Sequence, residues 1–154
     1  MKKSISVILC VVLAATAFAR KQPVPHMYMF GFAASFTDTI VHFTPIQELD
    51  NVWIESKTRF LQERDAYTFQ LRNYLEQQEQ MPHRTCVVFY NEKRNKLEKE
   101  YQKMLRLYGK PKNGAEHFDL RHLTDFRFTV IDMNEYTTED DSEETDAGAG
   151  PTVP

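Results

Sequence analysis

The apolar positions fall into runs of two periods, and each change of period marks a new element. Residues 28–36 alternate every second position. Tyr28, Phe30, Phe32, Ala34 and Phe36 would share one face of a strand, with Met29, Gly31, Ala33 and Ser35 on the other. The small second face suits close packing or a bulge at Gly31. Thr37-Asp38 offers a turn, and the β-rich run 39–44 follows at once, so a hairpin is expected, ended by Pro45. Residues 51–54 read as a short extended piece. From 57 to 78 there is neither Gly nor Pro, and Phe60, Tyr67, Leu71, Tyr74 and Leu75 recur at helical spacing. This predicts one long helix, or two with a break near Asp65 acting as an N-cap, stopped at Met81-Pro82. Residues 84–90 hold Cys86-Val87-Val88-Phe89, apolar on both faces as in a central strand. Asn91 is placed to cap a helix over 92–108, which Gly109 and Pro111 close. Residues 112–114 are loop, and 126–132 alternate as a last strand.

The order is therefore ββ-α(α)-β-α-β. A strand-helix-strand unit after a hairpin predicts an α/β (α+β) two-layer sandwich, with about four strands in a mixed sheet and helices on one face. No internal repeat is present.

The chain begins with basic Lys2-Lys3, then an apolar run over 5–18, then Ala17-Phe18-Ala19 before Arg20-Lys21. That order is the secretory signal pattern, with cleavage expected after Ala19. The run is shorter than the ~20 residues that span a bilayer, so no transmembrane anchor is expected after cleavage. Cys10 lies too early, and lacks the small preceding residue, for a lipid anchor. The expected division is a signal peptide over 1–19, one domain over 20–136 and a tail over 137–154. Losing Cys10 would leave Cys86 alone, so the domain would stand on its core without an internal disulfide. Its length suffices to bury roughly two-thirds of the unfolded surface.

Charge refines this division. The body over 20–136 holds 17 Lys/Arg and 16 Asp/Glu, while the tail carries six acidic residues and no basic one. With almost nothing to bury, that tail is expected to be disordered. Within the body, Lys96, Lys99, Lys103, Arg106 and Lys110 fall in an arc of about 80° on a helical wheel. They lie nearly opposite Leu97, Tyr101, Met104, Leu105 and Tyr108, and Lys110 joins them only if the helix passes Gly109. Such a stripe reads either as an ordinary solvated face or as a docking strip for an anionic partner: phosphate, acidic polysaccharide, lipid headgroup or acidic protein. The protein's own acidic tail is a further candidate to cover it.

Catalytic chemistry finds little footing. Glu116, His117, Asp119 and His122 gather potential ligands, yet their spacing is no zinc signature, so no metal and no cofactor is expected. His42 alternates with Ile40 and reads as a packed histidine. Cys86 sits in apolar sequence, which makes a thiol inert. Asp119/Asp125 and Glu48/Asp50 lack a defining spacing for acid–base work. No nucleophile elbow, HExxH, phosphate loop or dinucleotide fingerprint occurs, and no catalytic residue is assigned. The phenylalanines of the first strand read as core, while Trp53 is open to a role in a sugar or peptide groove.

Met29-Phe30-Gly31-Phe32-Ala33-Ala34-Ser35-Phe36 with Ile46-Gln47-Glu48-Leu49-Asp50 resembles small uncharacterised exported proteins of Bacteroides-type bacteria. Phe60-Leu61, Tyr74-Leu75 and Cys86-Val87-Val88-Phe89-Tyr90 before the Lys/Glu-rich helix share the resemblance. It implies a bacterial cell-envelope setting and carries over no activity and no site residue. Together these readings point to an exported, non-enzymatic binding or adaptor module whose partner is an anionic envelope component or another protein, not nucleic acid. The alternative is a small periplasmic enzyme of hydrolytic type with a dispersed active site.

Overall fold

The computed structural model describes residues 20–110 and 117–133. The expected signal peptide and acidic tail lie outside the described residues. Strands β1 (Lys21–Ala34), β2 (Ile40–Phe43) and β3 (Gln47–Glu55) come first, followed by helix α1 (Arg64–Gln77). Strand β4 (Thr85–Asn91), helix α2 (Arg94–Gly109) and strand β5 (Asp119–His122) complete the order. The five strands form one mixed sheet in the order β3-β1-β2-β5, with β4 on β1. All pairs are antiparallel except β2–β5.

Strand β1 organises the sheet because its alternation sends bulk to both faces. Met27, Met29 and Ala33 join Leu49, Val52, Ile54, Cys86 and Val88 under Tyr67, Leu71 and Leu75 of α1. Phe30 and Phe32 join Val41 and Phe43 under Leu97, Tyr101, Met104, Leu105 and Tyr108 of α2. The α+β class, a mixed sheet packed with helices, is as the pattern predicts, with five strands. The helices divide between the faces instead of sharing one, because an apolar surface on both sides of β1 must be covered on both sides.

Three boundaries differ from the sequence reading. The segment 57–63 is not helical: Arg59 and Glu63 take left-handed φ values of 61° and 49°. Glu55 N donates to Phe60 O, and Gln62 N to Trp53 O, which folds this stretch back along β3. Asp65 consequently sits in the first turn of α1, and Glu63 takes the N-cap position. Asn91 does not cap α2 directly. Its Oδ1 accepts from Lys93 N at 2.9 Å, and Lys93 is the N-cap.

The third difference concerns residues 126–132, which form no strand. Their burial still alternates, with Phe126 and Phe128 in the α1-side core. The backbone groups are met by side-chain amides instead of a neighbouring strand. Gln47 Nε2 donates to Phe126 O and its Oε1 accepts from Phe128 N. Gln70 makes the same pair of bonds with Thr129 N and O, each 2.8 Å. A glutamine amide presents one donor and one acceptor side by side, as a strand does, and so can replace a ladder partner.

At Gly31 the sheet and α1 approach closely. A Cβ there would lie 2.6 Å from Leu71 Cδ2 and 3.1 Å from Thr44 Cγ2. Leu71 is buried and has little room to turn aside. Gly31→Ala is expected to destabilise the domain by about 1–2 kcal/mol, an overpacking cost, measurable by urea unfolding.

Candidate functional site

Helix α2 is amphipathic in the way the wheel predicts. Leu97 is fully buried, and Tyr101, Met104, Leu105 and Tyr108 are partly buried against the sheet. Tyr101 meets Phe30 edge-on with ring centroids 4.9 Å apart, and Tyr108 packs on Phe32 at the same separation. Lys96, Lys99, Lys103 and Arg106 are exposed on the opposite face. None of these four has a carboxylate within 4.0 Å among the described residues, whereas Arg94 is paired with Glu98 at 2.8 Å. Lys110 departs from the stripe: it caps α2 in an extended conformation, φ −114° and ψ 115°, so the helix ends at Gly109.

The N-terminal end of α2 adds to the positive charge. Its first turn carries no acidic residue, and Lys93 makes no side-chain cap bond. A helix start carries partial positive charge of its own and normally attracts an acid there. Lys93 and Lys96 also line a cleft of about 280 Å³ with Met27, Arg59, Tyr90, Asn91 and Glu92. Glu92 in that cleft is bound to Arg59 through two hydrogen bonds.

The histidines separate into different environments. His42 is buried on β2, and desolvation together with the nearby Arg84 and Arg121 cations lowers its pKa to about 4. His122 Nδ1 lies 3.4 Å from Tyr101 Oη, and Asp119 is engaged by Arg121. Among the described residues the His117–His122 stretch therefore gathers no ligand set, and Glu116 lies outside them. Cys86 is buried and free, its thiol pushed up to about 11 by desolvation.

Strand pairing assembles a group that the sequence spacing does not reveal. His26 lies opposite Asp50, and Tyr28 opposite Glu48, in the β1–β3 ladder. His26 Nδ1 is 2.8 Å from Asp50 Oδ1 and 3.1 Å from Glu48 Oε1. Recognising the trio would have required carrying β1 back from Tyr28 to His26, next to Pro25, and fixing its register with β3.

Trp53, half-buried, lines a second cleft of about 480 Å³ with Pro23, Asp50, Asn51, Val130, Ile131 and Asp132. A third, of about 260 Å³, lies between α1 and residues 125–129. None of the three clefts is lined by a histidine, serine or cysteine. No helix among the described residues is long and apolar enough to cross a membrane. No family model, no curated protein and no solved structure matches this chain.

Proposed function

We propose that the protein is an exported, non-enzymatic docking module of the bacterial cell envelope that binds an anionic envelope component through the outer face of α2. The observation that carries this reading is the row Lys96, Lys99, Lys103 and Arg106, exposed and without a carboxylate partner among the described residues, on a helix whose opposite face is held by the core. Glu98 and Glu100 are available on the same helix, yet neither reaches these four cations. A cationic, uncapped helix start is locally unfavourable, and such departures from local rules concentrate where a surface serves a partner. Lys110 stands off this face and is not part of the strip. Export is supported by the signal pattern over 1–19.

The test is co-sedimentation with vesicles of anionic against zwitterionic phospholipid, with an acidic polysaccharide as a second probe. Each basic side chain near an anionic surface contributes about 1 kcal/mol, so Lys99→Gln with Lys103→Gln should weaken binding roughly 30-fold. Binding should also fall steeply with added salt. Equal binding by the double variant, or no binding to either probe, would sink the proposal. Recovery from the envelope fraction of a chain whose mass starts at Arg20 would check export.

A further inference from the structure

We propose that His26, Glu48 and Asp50 form a surface binding site for a divalent transition-metal ion of the Zn²⁺ type. The argument begins with the register. In an antiparallel pair, opposed residues place their side chains side by side on one face, and the neighbours two positions along lie within reach. His26↔Asp50 and Tyr28↔Glu48 therefore bring an imidazole and two carboxylates from well-separated stretches of chain onto one patch of paired backbone. A ladder fixes the three Cα positions more firmly than a loop would.

The donor atoms already sit near coordination spacing. One donor each from His26, Glu48 and Asp50 lie within 4.8 Å of one another. Bonds of about 2.0–2.2 Å to one ion place adjacent ligand atoms roughly 3.0–3.5 Å apart. The two distances to His26 Nδ1, 2.8 and 3.1 Å, fall close to that edge length. Bringing the carboxylates together requires only rotation of exposed side chains, which are 45 % exposed at Glu48 and 68 % at Asp50.

Charge and donor type point the same way. One imidazole nitrogen carries at most one proton, so a single N–H faces two carboxylates. A divalent ion would satisfy both and neutralise their charge. One nitrogen with two carboxylate oxygens suits a borderline ion such as Zn²⁺, whereas Ca²⁺ and Mg²⁺ prefer six or more oxygen donors. Three protein ligands in an exposed setting leave a position for water or for a donor from another molecule. Arg94 is the nearby cation that opposes the ion. It is committed to Glu98 at 2.8 Å and lies over the Tyr28 ring at 5.9 Å, and it bears on Glu48 only through space.

The site is separate from the strip on α2, so its test is independent of the proposed docking function. Isothermal titration of the full-length chain with ZnCl₂ at neutral pH should show one saturable site. His26→Gln, and Glu48→Gln with Asp50→Asn, should each weaken it roughly 10–100-fold, with the far-ultraviolet circular dichroism unchanged because all three residues are exposed. The His26 imidazole NMR signals should shift on Zn²⁺ addition ahead of those of His83, His117 and His122. Zn²⁺ binding of undiminished affinity in His26→Gln would overturn the proposal, as would Ca²⁺ binding equal to that of Zn²⁺. So would a first shift at any other histidine.

Discussion

Phe30→Ala should destabilise the domain by about 3–5 kcal/mol, the range for removing a large aromatic from a packed core. Phe30 is fully buried at the middle of β1. It stacks on Phe89 of β4 with ring centroids 4.9 Å apart and planes 10° from parallel, and it takes the edge of Tyr101 from α2 at 4.9 Å. One ring thus joins two strands to the helix. Neighbouring side chains cannot close the gap, because Phe89 is fixed by the β1–β4 register and Tyr101 by α2. Urea unfolding followed by tyrosine fluorescence measures the loss. A cost below about 1 kcal/mol would mean that this face relaxes easily and that α2 is held mainly elsewhere. The change should also blur the α2 strip, since its presentation depends on the same packing.

What the sequence disclosed follows from which features are local. Alternation at Tyr28, Phe30, Phe32 and Ala34 identified one face of β1, and helical spacing identified the buried face of α2; both patterns are intrinsic to a single segment. Phe36 followed the same alternation, yet it lies beyond the strand and is fully exposed. The first half of β1 lies outside the alternating run 28–36 and carries Pro23 and Pro25, a residue type depleted in strands. There β1 pairs with β3 alone, so its other side has no ladder bonds for a proline to remove. The sequence reading gives only a short extended piece over 51–54, whereas β3 runs over Gln47–Glu55 across a left-handed Asn51. Its buried residues change from Leu49 to Val52 across that kink, which a strict period of two cannot follow. Residues 126–132 had the right burial pattern and the wrong partner, since Gln47 and Gln70 stand in for a strand.

The candidate sites divide along the same line. The α2 stripe belongs to one helix and was legible, apart from Lys110, whose place depended on where the helix stopped. The His26–Glu48–Asp50 group depends on a pairing register, which no single segment encodes. The acidic-tail reading rests on residues outside the described part of the fold.

Acidification from pH 7 to pH 4 should remove about 3 kcal/mol of stability through His42 alone, and His42→Phe should remove most of that slope. His42 is 1 % exposed, between Ala33 of β1 and Arg121 of β5 in the ladder. Its Nδ1 has no hydrogen-bond partner among the described residues. Burial lowers its pKa from 6.5 to about 4, assisted by the Arg84 and Arg121 charges and opposed by Asp38 and Asp119. Arg84, itself buried, is held by Asp38 Oδ2 at 2.6 Å and Ile40 O at 2.7 Å, so it cannot move away when a second cation forms. Between pH 6.5 and pH 4 the unfolded chain binds a proton at this position and the folded one does not. Stability therefore rises with pH across that window, is complete above it, and is lost as pH falls. The difference between 6.5 and about 4 corresponds to about 3 kcal/mol. Carboxylates titrate in the lower part of the same window, so the informative quantity is wild type minus His42→Phe. Denaturant midpoints at a series of pH values should diverge above pH 4 and run parallel above pH 6.5. Parallel curves throughout would show that His42 is protonated in the fold as readily as in the unfolded chain, and the buried Arg84–His42 pair would then need a different electrostatic account.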